Sequence, residues 1–141
     1  MTQELMQAWV SGGGTKQLVA RNGDFVTMPI TLDNAINAPV LRGALLKASA
    51  PDQPFVLCDT GAGMPADTDV LALAADDIDL TGAAADVLAN AFVSGEFVKE
   101  TVVAASKATL LAADIVTIQE LGMKRGIFLV SSLYGGNSET P

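Results

Sequence analysis

The chain predicts an α+β fold, mostly β: a small compact domain with a mixed, barrel-like sheet and one short helix in its C-terminal half, preceded by an extended N-terminal arm. Three observations predict it. Short apolar runs such as PFVLC at 54–58, DVLALAA at 69–75 and ANAFVSGEFV at 89–98 are separated by turn-forming clusters roughly every ten residues, the pattern of a compact antiparallel or mixed sheet. A single segment, LLAADIVTIQEL at 110–121, combines helical spacing of apolar residues with start and stop signals. Hydrophobic residues make up 50% of the chain while aromatics contribute only 5%, so the core is built largely from Ala and Val.

At 141 residues the chain holds one domain with a real core and has no room for two. Its expected division is an arm at 1–35, a folded domain at 36–134 and a polar tail at 135–141. Eight Lys and Arg stand against 16 Asp and Glu, a formal charge of −8, and no basic residue falls between Lys47 and Lys99; direct nucleic-acid binding is not expected. Histidine is absent and Cys58 is the only cysteine. That removes Ser-His-Asp and Cys-His nucleophile systems, ordinary zinc sites and an internal disulfide, and neither a metal nor a cofactor is expected. Cys58 itself sits in an apolar run and reads as a small buried hydrophobe. The first 15 residues carry Glu4 and no basic residue, unlike a secretory signal, and no apolar run approaches the roughly 20 residues of a membrane-spanning helix. No membrane partner is expected, and the chain reads as a soluble product of the cytoplasm.

Taken in order, Leu5, Met6, Trp9 and Val10 suit one face of a short helix, which Ser11-Gly12-Gly13-Gly14 then breaks. This arm is either a frayed terminus or a segment that orders on a partner with Trp9 as its anchor. Gln17–Ala20 and Phe25–Met28 flank Arg21-Asn22-Gly23-Asp24 and read as a β-hairpin. LRGALLKAS at 41–49 and PFVLCD at 54–59 are two more strands, followed by DVLALAADDIDL at 69–80 and ADVLANAFVSGEFV at 85–98 around a Thr81-Gly82 turn. KETVVAASKA at 99–108 fits either a strand running into a loop or a short helix. In the helix at 110–121, Thr109 is the expected cap, Gly122 the expected stop, and Lys124 and Arg125 suit the negative end of the dipole. IFLVSSLY at 127–134 reads as a final strand.

Three stretches tempt a chemical reading. Asp59-Thr60-Gly61-Ala62, after Val56-Leu57, spells the turn that presents the carboxylate of an aspartic protease; a chain with one such turn has to dimerise so that two carboxylates share a proton. Such an enzyme also needs an apolar-apolar-Gly strand that braces the turn and leads into a helix, and here Leu121-Gly122 follows the helix instead. Asp77, Asp79, Thr81 and Gly82 match positions 1, 3, 5 and 6 of an EF-hand loop, but the twelfth position, which needs a bidentate Glu, is Leu88. Glu96 has no acid-base partner near it in sequence and reads as a strand-end or interface residue.

The order of several weak motifs is more specific than any one of them. Gly43, Leu46 and Lys47; Asp59 and Gly61; Asp77, Asp79 and Thr81; Gly95, Glu96 and Phe97; and Leu121, Gly126 and Ile127 follow one another as they do in the head decoration proteins of tailed bacteriophages. Over more than half of its length the chain resembles that family, to which the lambda capsid-stabilising protein belongs. The resemblance implies a non-enzymatic structural protein, made in the bacterial host cytoplasm, that forms homotrimers at local three-fold axes of the expanded head. It would bind the major capsid protein on the outer surface of the virion and hold the shell against the pressure of packaged DNA. The arm, through Leu5, Met6, Trp9 and Val10, is the expected capsid contact, and the Ala-rich strands are the expected interface between copies. The rival readings are a homodimeric aspartic protease using Asp59 and another phage structural module, associated with a tail or fibre.

Overall fold

The computed structural model describes residues 17–20, 24–106 and 111–131. The described chain is mostly β, with two helices. Its strands are β1 (Phe25–Leu32), β2 (Pro39–Val40), β3 (Leu45–Ala48), β4 (Val56–Leu57), β5 (Val70–Ala74), β6 (Ile78–Asp79), β7 (Val87–Val98) and β8 (Ile127–Val130); α1 (Lys99–Ser106) and α2 (Ala112–Arg125) lie between β7 and β8. The main sheet runs β1-β7-β5-β3-β4, with β8 added to β7, and β2 and β6 form a separate pair. All pairs are antiparallel except β7 with β8, so the sheet is mixed.

The two ends of that path meet. Phe55, just ahead of β4, bridges Leu32 at the end of β1; its N–H donates to the Thr31 carbonyl at 2.8 Å and its carbonyl accepts from the Asp33 N–H at 2.9 Å. The five-strand path therefore closes into a small barrel, which removes most of the open edge a flat sheet would carry. Residues alternate across each strand, giving two cores. Inside lie Leu32, Leu46, Ala72, Ala74, Ala91 and their neighbours, with Val40 and Leu80 of the β2–β6 pair reaching the same cluster. Outside, Leu45, Leu73, Phe92, Phe97 and Ile127 pack with Val102, Ile118 and Leu121 of the two helices.

The barrel explains the alanines. Ala72, Ala74 and Ala91 fill the space left beside Leu32, Leu46 and Phe55 in this narrow interior, each no more than 4% exposed. The side chains of these three alanines are buried within one chain.

The expected hairpin at 16–29 is not formed. Val19 bridges Phe97 in the same antiparallel sense in which Phe25 pairs with Gly95, and the Ala20 and Val98 N–H groups donate to the Glu96 and Leu18 carbonyls. Both segments thus run the same way along β7, which at 12 residues is long enough to pair with each in turn. For the same reason the folded unit begins before residue 36: Leu18, Ile30 and Leu32 are buried, and β1 is a full strand of the sheet.

DVLALAADDIDL divides between two sheets, β5 and β6, because Ala75-Asp76-Asp77 turns the chain. KETVVAAS is helical, with Val102 and Ser106 as its buried residues; the Ser106 hydroxyl donates to the Val102 carbonyl and accepts from the Leu45 N–H, fastening α1 to β3. Thr109 lies outside the described residues. Leu111 stands at the cap position of α2, where its N–H donates to the Asp114 carboxylate at 3.1 Å. Gly122 does not stop the helix, which continues to Arg125 and ends at Gly126 in the left-handed region, φ 85°. Gly122 is instead a contact glycine: a Cβ there would collide with the Ile127 carbonyl oxygen, so its missing side chain lets β8 fold back across the helix. The last strand is described as Ile127–Val130, and residues 132–134 of its expected span fall outside the described chain.

Candidate functional site

Of the motif residues, Gly95, Glu96, Phe97, Gly126 and Ile127 come together where β8 pairs in parallel with β7. The Gly95 N–H donates to the Gly126 carbonyl at 2.9 Å, and Gly95, at φ 139°, pairs with both Phe25 and Ile127. A register shift in the β1–β7 ladder falls between Val26 and Thr27, beside Phe92 and Ser94. In a regular strand Phe92 and Phe97, five apart, would face opposite sides; the bulge turns both rings to the helix side, with centroids 5.2 Å apart. Phe97 is 0% exposed and Ile127 1%, so this pairing belongs to the core, while Glu96 is exposed and pairs with Phe128. Gly43, at φ 96°, is likewise structural: it lets Leu18 and Ala105 approach. Lys47 donates from Nζ to the Met64 carbonyl at 3.2 Å, holding the 3-10 turn at 61–63 against β3.

The acidic motif builds loops. Asp77 accepts from the Arg42 N–H at 2.7 Å, and Asp79 accepts from the Thr81 N–H at 2.9 Å. Hydrogen bonds from the Thr81 side chain and backbone hold the Asp79 carboxyl below its ordinary range. Asn37 accepts from the Gly82 N–H at 2.9 Å, and Asp86 from the Asn34 N–H at the same distance, tying the 81–86 loop to the 33–38 loop. These side chains are spent on backbone N–H groups, and among the described residues no three acidic or cysteine side chains gather to hold a metal ion.

Asp59 is exposed. Its carboxylate accepts from the Thr60 N–H at 2.7 Å, and its own N–H donates to the Gly63 carbonyl. The Thr60 hydroxyl is bound by Asp114 of α2 at 2.8 Å, and Leu121-Gly122 lies within α2 instead of bracing this turn. Next to it, burial pushes the Cys58 thiol from its ordinary 9.0 up to about 12. The folded protein therefore keeps a neutral thiol that the unfolded chain ionises first. Stability from this group is complete below pH 9 and is expected to fall as pH rises from 9 towards 12; Cys58→Ala should remove that alkaline slope in urea titrations, and native Cys58 should resist thiol reagents until denatured.

Sequence reasoning missed one surface. The first half of β1 is exposed over Phe25–Pro29, with Phe25, Val26 and Met28 between 42% and 55% accessible, and it forms the free part of the barrel's edge. Pro29, which has no N–H to offer a further strand, suits such an edge. Beside it lies a mostly apolar recess of about 180 Å³ lined by Met28, Ile30, Phe55, Val70, Val93 and the charged Arg125. The signal in the sequence was the adjacency of Phe25 and Val26: two large apolar residues in succession cannot both face one core. Leu5, Met6, Trp9 and Val10 lie outside the described residues. Among the described residues no helix is long and apolar enough to cross a membrane. Comparison of the chain with protein-family models, with curated proteins and with solved structures finds no match.

Proposed function

We propose that this chain is a capsid decoration protein, a structural, non-enzymatic component that binds the major capsid protein on the outside of an expanded phage head, as homotrimers at local three-fold axes. The observation that carries the reading is the order of motifs that resembles the head decoration family, of which Gly95, Phe97, Gly126 and Ile127 meet where β8 pairs with β7. Around that scaffold an acidic surface keeps particles soluble and apart, and β1 presents the exposed apolar residues Phe25, Val26 and Met28. Capsid contact is assigned to the arm, through Leu5, Met6, Trp9 and Val10, together with Phe25, Val26 and Met28. Many such contacts repeated by symmetry multiply a modest affinity.

Purified protein mixed with expanded, undecorated cognate heads is expected to co-sediment saturably; a lack of binding to the cognate shell overturns the proposal. Deletion of residues 1–14 or the double change Val26→Asp and Met28→Asp should each weaken binding about tenfold or more, because each removes or charges apolar contact area. Neither change should shift the thermal midpoint much, since these side chains are exposed or lie ahead of the folded domain.

A further inference from the structure

The chain between β4 and β5 is fastened differently from the strands of the barrel. Among the described residues, every backbone-to-backbone hydrogen bond made by 59–69 begins and ends inside that segment. The Asp59 N–H donates to the Gly63 carbonyl at 2.9 Å, Gly63 to Thr60 at 3.2 Å, Met64 to Gly61 at 3.1 Å and Asp69 to Ala66 at 2.9 Å. Its hydrogen bonds to the rest of the chain all involve a side chain. The Thr60 hydroxyl donates to Asp114, near the start of α2. Asp67 meets the other end of that helix: its carboxylate accepts from Lys124 Nζ at 2.9 Å and its carbonyl from the Arg125 guanidinium at 2.6 Å. Between these two clasps Lys47 holds the Met64 carbonyl, Pro65 is buried and Met64 rests on the outer core. From Asp114 to Lys124 the helix rises about 15 Å, within reach of the chain from Thr60 to Asp67.

We propose that residues 59–69 are a strap, clasped to α2 by charge, which lifts as one unit while the barrel stays closed. The sheet fixes both hinges. Cys58 donates its N–H to the Leu45 carbonyl at 3.0 Å and Val70 pairs with Ala48, so the residues on either side of the strap keep their places when it lifts. Lifting breaks no strand pairing. It gives up the Lys124–Asp67 ion pair, the three hydrogen bonds of Thr60, Met64 and the Asp67 carbonyl, and the seats of Met64 and Pro65. Because both partners of the ion pair are exposed, dissolved salt screens it, and ionic strength sets how often the strap is open. The strap is independent of the capsid reading.

Native-state amide exchange on the full chain tests it. The amides of Asp59, Gly63, Met64 and Asp69 should share one protection factor, lower than that of the Cys58 and Ala74 amides, which bond to Leu45 and Ala44 of the barrel. Asp67→Ala cuts the clasp at the Lys124 end only, yet it should speed Asp59 and Gly63 as much as Asp69, by about two- to fivefold. Thr60→Val, at the opposite end, should speed Asp69 as much as Asp59. Adding about 0.5 M salt should speed the same four amides in the unaltered protein and not in Asp67→Ala. Cys58 and Ala74 should keep their rates throughout. If Asp67→Ala speeds Asp69 and leaves Asp59 and Gly63 unchanged, the loop frays piecemeal and the strap is wrong. Exchange of all four amides only together with Ala74 would mean that the segment opens by global unfolding alone, which also overturns it. Faster exchange in the variants without a salt effect in the unaltered protein removes the charge clasp.

Discussion

Phe97→Ala is expected to remove about 3–5 kcal/mol of stability, the range for emptying a buried phenylalanine site. That is a large share of the roughly 5–15 kcal/mol that holds a typical domain together. Phe97 is fully enclosed, its ring packs on Phe92, and Phe92 in turn meets Phe25 edge-on at 5.2 Å. The surrounding strands cannot collapse into the space, because β7 at this point is held by Val19 on one edge and by β8 on the other. A urea titration would show the lowered midpoint; a loss under about 1 kcal/mol would mean that the aromatic cluster repacks and that the bulge at 92–95 is not what fixes it. Phe97→Leu should recover part of the loss by refilling volume.

Gly122→Ala should also destabilise, with a sign opposite to the usual one. In an exposed helix, glycine to alanine gains about 1 kcal/mol from propensity alone. Here the added methyl would strike the Ile127 carbonyl, whose neighbours Gly126 and Ile127 are fixed to Gly95 by backbone pairing. Displacing β8 loosens Ile127 and Leu129 from the outer core, so a net loss of about 1–3 kcal/mol is expected, as for other overpacked sites. The same denaturant midpoint decides it: a stabilised Gly122→Ala protein would show that β8 does not press on the helix.

Gly122 also marks where the sequence misleads. A glycine followed closely by Lys and Arg looks like a helix stop, and the chain offered a second glycine four residues later that does the work. Only the position of β8 separates the two, and that is tertiary information. Local signals did locate the strands at 45–48, 56–57, 70–74 and 87–98, because short apolar runs and turn chemistry act within a few residues. They failed at Arg21-Asn22-Gly23-Asp24, where the partner of both flanking segments is a strand some 70 residues away, and at the alanines, whose burial depends on the barrel closing at Leu32 and Phe55. That Gly95, Phe97, Gly126 and Ile127 pack together was not legible, since nothing in the spacing tells that Gly95 and Gly126 share a hydrogen bond. The apolar stretch of β1 was legible as strand but not as surface, because its exposure depends on an edge that no other described strand covers.

The two ends of the described chain leave the molecule together. Gln17 is held by Thr101 and Ser131 by Glu100, adjacent residues in the first turn of α1. The residues before Gln17 and those after Ser131 are therefore joined to the described chain at neighbouring points of α1. The same adjacency means that a short linker between the ends, with a new opening in an exposed loop such as 50–53, would preserve every strand pairing of the barrel while reversing which segment emerges first from the ribosome.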